Sequence, residues 1–258
     1  MKNGILAIVI LTLLSGCSDL KEPVSTNKEP SLEVHPSGWL LTWAPNFHGK
    51  FIQNSGWDLK QCQQCHGRDY AGGIAQSSCL SCHPATPEDC VVCHGGVENA
   101  TGAPPKDIAG NVTPLARGVG AHTRHLEGGT LSSGFPCSTC HVVPDSLYAP
   151  GHVDSDLPAE VQFSGLAVAE EAHPVWNGES CQNTYCHGFF EGGNQNNAPV
   201  WTRVDGSQDA CGTCHGLPPD GDHPQIENCV LCHAAVVDST NVIIDKTRHV
   251  NGTIDFGT

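Results

Sequence analysis

Fourteen of the fifteen cysteines in this 258-residue chain fall into seven pairs, and a histidine follows the second member of every pair. Six pairs read Cys-x-x-Cys-His: Cys62, Cys65, His66; Cys79, Cys82, His83; Cys90, Cys93, His94; Cys137, Cys140, His141; Cys211, Cys214, His215; and Cys229, Cys232, His233. The seventh is stretched, with four residues between Cys181 and Cys186 before His187. A chain that must present two thiols and an imidazole at seven points has little room for long helices or a broad sheet.

Covalent attachment of haem accounts for the spacing. The two thiols reach the vinyl groups on one edge of a porphyrin, and the next side chain turns inward to the iron. Zinc shared between Cys-x-x-Cys pairs would leave the following His without a reason. A disulfide framework would not tie cysteine spacing to histidine. The sequence therefore predicts seven haem c groups, with the fourteen paired cysteines as thioethers and the seven motif histidines as proximal ligands. In the stretched site the two extra residues must bulge outward for the thiols to keep their reach.

The second axial position decides whether an iron transfers electrons or binds substrate. The only methionine is Met1, which leaves with a cleaved leader, so methionine ligation is excluded. Eight histidines lie outside the motifs: His35, His48, His122, His125, His152, His173, His223 and His249. Seven of them would complete seven bis-histidine, low-spin centres. His122 and His125 are one helical turn apart and so suit two neighbouring haems. An iron left open would bind a small substrate such as nitrite, hydroxylamine or peroxide, and that reading predicts a reductase.

Aromatic residues make up 6% of the chain, and it holds 29 Gly and 18 Pro, too little apolar bulk for a conventional core of this length. Without a 16-residue leader, each triad commands about 35 residues, below the roughly 40 at which a small domain usually needs help to fold. The expected fold is an irregular multihaem cytochrome c fold, mostly loops and short helices wrapped around a haem core, with little or no β-sheet. The only strand-like stretches, Val161–Val168 and Val242–Ile244, are expected to pair if they form strands. All five Trp, including Trp39, Trp43 and Trp57 near the first motifs, are expected to pack against haem or core rather than relay electrons. A net charge of −15 excludes a nucleic-acid partner, which needs a basic surface.

The N-terminus carries Lys2 and an apolar stretch from Ile5 to Leu14, which reads as a secretory signal over residues 1–16. It is too short to span a bilayer, which takes about 20 residues of helix. Leu14-Ser15-Gly16-Cys17 resembles the bacterial lipobox, which implies lipidation of Cys17, and Ser18 after it implies sorting to the outer membrane. Beyond it, residues 17–31 read as a flexible tether, 32–100 as a three-haem segment, 101–118 as a linker and 119–258 as a four-haem segment.

The mixture of Cys-x-x-Cys-His sites with a Cys-x-x-x-x-Cys-His site resembles the multihaem outer-membrane and periplasmic cytochromes of Geobacter-type bacteria. The stretches that carry the likeness are Asn46-Phe-His-Gly49, Cys62 through His94, Gly120-Ala-His-Thr-Arg-His-Leu126, Gly151-His-Val-Asp154, Tyr185-Cys-His-Gly188 and Arg248-His-Val-Asn-Gly-Thr253. The resemblance implies that His48, His122, His125, His152 and His249 are distal ligands. His173 lies outside these stretches, which makes it the expected spare and leaves His35 and His223 to complete the set. It also implies an exported electron carrier with no catalytic side chains, at the periplasmic or extracellular face of the outer membrane. Its partners would be other cytochromes, a porin barrel or an extracellular metal acceptor. A subunit of a cytochrome filament is a further possibility, against which the lipid anchor argues.

Overall fold

The computed structural model describes residues 34–95, 106–154 and 158–257. The leader, the tether with Cys17, and residues 101–105 of the expected linker lie outside them. The chain divides between Asn54 and Ser55 into two compact units.

In the first unit, turns lead into helix α1 (His48–Asn54). The indole of Trp39 meets the rings of His35 at 4.4 Å and Phe51 at 5.2 Å, and its carbonyl accepts from both the backbone N–H and Nδ1 of His48, each at 2.9 Å. A single turn-forming segment thereby fixes both histidines of this unit.

The second unit is built mostly from loops and one-turn helices, as the motif density predicts. Its helices are α2 (Lys60–His66), α3 (Cys90–Cys93), α4 (His122–Glu127) and α5 (Val230–His233). Three more motifs lie wholly or partly in 3-10 turns, Cys79–Ser81, Cys137–Thr139 and Tyr185–His187. The reason is local: in the Cys-x-x-Cys-His spacing the His N–H closes a turn on the carbonyl of the first Cys, at 2.9 Å for His83, His94, His141 and His233. No helix among the described residues is long and apolar enough to cross a membrane.

The only sheet described is a two-residue hairpin of β1 (Val175–Trp176) and β2 (Cys181–Gln182), antiparallel, with Val175 opposite Gln182 and Trp176 opposite Cys181. The strand pairing expected between Val161–Val168 and Val242–Ile244 does not form. Gln162 and Ser164 instead donate their backbone N–H groups to the carbonyls of Cys140 and Thr139, and the chain then coils through a 3-10 segment, Gly165–Glu171. Ile243 bridges Val237, and Ile244 donates to Val236. The loops spend their extended backbone on bracing motif turns rather than on each other.

Packing is thin. Among the described residues of the second unit, the buried apolar side chains are Leu59, Tyr70, Val119, Ala167, Ala172, Val236 and Val237, and none of the larger side chains is completely enclosed. Large apolar groups such as Val142, Leu217 and Ile254 are 70%, 51% and 75% exposed. These three line an open cavity of about 2090 Å³. That is about twice the upper end of ordinary small-ligand pockets, roughly 300–1,000 Å³. The interior is shaped for something larger than side chains.

Candidate haem-binding site

Ten imidazoles line the cavity, and they meet in five pairs. Ring centroids are 6.0 Å apart for His94 and His152, 6.3 Å for His122 and His141, 6.1 Å for His125 and His187, 6.3 Å for His215 and His249, and 6.2 Å for His223 and His233. Each pair joins one motif histidine to one from elsewhere in the chain. These separations repeat within 0.3 Å. Two imidazole nitrogens each about 2.0 Å from one metal ion put ring centroids roughly 6 Å apart once the ring radii are added.

The tautomers agree with that spacing. Nδ1 of His122, His125, His152, His223 and His249 lies 2.9, 2.9, 3.0, 2.8 and 2.6 Å from the carbonyls of Val119, Ala121, Leu147, Pro224 and Leu131. A carbonyl only accepts, so Nδ1 carries the proton and Nε2 keeps its lone pair for a metal. The same holds for motif rings His66, His141, His215 and His233, whose Nδ1 groups donate to Ser77, Glu160, Gly216 and Asp255 at 2.7, 2.7, 2.8 and 2.7 Å. Burial lowers the pKa of His94, His122 and His249, and it brings His187, with the His125 ring adding to the effect, down to about 4. Neutral imidazole is the ligating form.

The fourteen motif cysteines are all free thiols, and among the described residues no three His, Cys, Asp or Glu side chains converge on a common point. Burial, followed by the neighbouring Cys140, pushes the thiols of Cys181 and Cys186 up to about 12. A thioether, neutral and apolar, suits such an environment better than a thiolate. A cavity lined by apolar groups, free cysteines and oppositely placed neutral imidazoles fits haem.

Helix α4 supplies both His122 and His125. Trp201 packs against the two rings, edge-on to His122 at 4.7 Å and tilted to His125 at 5.6 Å, and its indole N–H donates to the Arg117 carbonyl at 2.8 Å. Gly120, with φ of +43°, lets the indole approach, since a Cβ there would collide with Trp201. The sequence reading gives Trp201 only the packing role expected of all five tryptophans, because nothing local marks its place between two imidazoles.

His173 stands apart: it is exposed and meets the ring of Phe189, at 4.6 Å, rather than another imidazole. His35, His48, His66 and His83 do not line the cavity. The first two are held by Trp39 as described above.

The stretched motif folds with the segment after it. Asn183 adopts φ of +54°, Thr184 is buried, and His187 closes its turn on the Thr184 carbonyl at 3.0 Å. Ser180 bridges Val200, Gly193 bridges His215, and Asn194 donates its N–H to the Cys214 carbonyl at 2.8 Å. Asn197 donates to the His187 carbonyl at 2.8 Å. Two motifs are thereby locked side by side.

This segment is also what the chain shares with known proteins. Residues 180–215 match the family described as the Geobacter CxxxxCH...CXXCH motif. No curated protein and no solved structure matches the chain. The matched residues run from Ser180 to His215 and enclose the two interlocked motifs, His187 and His215 included. Over these residues the chain is similar to Geobacter-type multihaem c-type cytochromes, and the shared CxxxxCH and CxxCH motifs indicate covalently bound haem c.

Proposed function

We propose that this protein is a seven-haem electron relay in which every iron is held between two histidines. The observation that carries the reading is the set of five imidazole pairs in one cavity, each joining a motif histidine to a partner at the separation two ligands of one ion require. In this reading the haem irons are ligated by His94 and His152, His122 and His141, His125 and His187, His215 and His249, and His223 and His233. His66 and His83 are the proximal ligands of two further haems, His35 and His48 remain distal ligands as the sequence predicts, and His173 is the spare. Bound haem supplies reversible one-electron chemistry. The protein's part is to hold the rings, fix their protons on Nδ1 and exclude water.

The electron role follows from the axial sites. An iron capped on both faces has no position for substrate, so transfer rather than catalysis is its function. The acidic chain, anchored through Cys17 at the outer membrane, would exchange electrons with partner cytochromes, a porin-associated complex or an extracellular metal acceptor.

Intact mass and EPR of the purified protein test this together. Seven haem additions plus acylation, with only low-spin iron, are expected. A substantial high-spin fraction in the native protein would sink the relay reading in favour of a reductase with an open iron.

A further inference from the structure

The imidazole of the stretched motif is held differently from its neighbours. His66, His141, His215 and His233 each donate Nδ1–H to a backbone carbonyl. Nδ1 of His187 instead lies 2.8 Å from the hydroxyl oxygen of Thr184. Thr184 is 3% exposed, so its hydroxyl has no access to bulk water. The two extra residues of the motif put it there: the chain turns at Asn183 in the left-handed region, and Thr184 opens the 3-10 turn that ends at His187.

We propose that Thr184 sets the reduction potential of the haem attached at Cys181 and Cys186 by giving its proximal imidazole a weaker hydrogen-bond acceptor than a carbonyl. The inference rests on the reading of His187 as an iron ligand. With the metal on Nε2, the proton is on Nδ1, so the ring donates and Thr184 Oγ1 accepts. A strong acceptor draws that proton away, makes the imidazole more basic and stabilises the ferric state. A hydroxyl oxygen draws it less than an amide carbonyl does. The haem at this site is therefore easier to reduce than a carbonyl-held equivalent would be, which makes it a resting place for electrons among its neighbours.

His187 and His125 are crossed at 69°, as are His215 and His249, whereas the pairs His94 with His152, His122 with His141 and His223 with His233 lie within 16–26° of parallel. Crossed and near-parallel axial imidazoles give distinguishable low-spin EPR signals, so the response is confined to one of two crossed-ring haems, and a His249→Ala background, which turns the other high-spin, tells them apart.

The test is a potentiometric titration of the full-length, haem-loaded protein monitored by EPR, with peptide mass reporting haem on the Cys181–Cys186 segment. Thr184→Val keeps the side-chain shape and removes the acceptor. One crossed-ring haem should move to higher potential by about tenfold in its oxidised-to-reduced ratio, about 59 mV for one electron. Thr184→Asn offers an amide carbonyl and should move the same haem down, while Thr184→Ser should leave it in place. Unchanged potentials in the Val and Asn variants, with haem still on the segment, overturn the role of Thr184 and leave the ligand assignment intact. A wild-type segment without haem overturns the assignment itself. If Thr184→Val fails to load haem, the sign of the Asn shift decides.

Discussion

Replacing Trp201 with alanine should loosen two haem sites at once and spare the others. The indole contacts His122 at 4.7 Å, His125 at 5.6 Å and Trp176 at 6.3 Å, and it donates one hydrogen bond to Arg117. Aromatic contacts of this kind are worth about 0.5–1.5 kcal/mol each. The hydrogen bond adds about 1 kcal/mol. Because Trp201 is half-buried, the lower half of that range applies, and Trp201→Ala should cost roughly 3 kcal/mol. The assay is chemical denaturation followed by haem absorbance, with EPR on the folded variant. The folded fraction should show high-spin signal equivalent to at most two haems, because only His122 and His125 lean on the indole. A variant with wild-type stability and no high-spin iron would refute the claim that Trp201 positions helix α4, as would high-spin signal spread over all sites.

Two further substitutions probe other parts of the site. Gly188→Ala should destabilise the protein by more than 1 kcal/mol, seen as a lower thermal midpoint, because φ is +108° and the added Cβ would strike the Cys214 carbonyl; an unchanged midpoint would show that the two motifs are not held together there. His173→Ala should leave the low-spin spectrum as it is, whereas His223→Ala, which removes the ring 6.2 Å from His233, should create one high-spin haem. The reverse pattern would exchange their roles.

What could be read from the sequence was the part set by short-range chemistry. Cysteine and histidine spacing in a motif is local, and four of the motifs close the same hydrogen-bonded turn. The irregular, sheet-poor fold followed from the same density. Pairing of distal rings was not legible, since His249 meets His215 only after the chain has run past α5, and no local pattern encodes that return. The helical spacing of His122 and His125 did suggest two neighbouring sites, and their rings meet His141 and His187. The strand expectation at Val161–Val168 failed for a physical reason: period-two apolar residues look alike whether their N–H groups meet a strand or the back of a motif turn. Nothing local marks Thr184: the spacing of the stretched motif requires only a bulge, and the return of its hydroxyl to His187 depends on the left-handed turn at Asn183.

Helix α4 has a kinetic consequence in the proposed relay. His122 and His125 are separated by three residues of helix, a rise of about 4.5 Å. Two redox centres gripped by one turn cannot drift apart without unwinding it. Thermal motion of the surrounding loops would then leave the tunnelling gap between them unchanged, so that hop would be the most constant step in the chain of transfers.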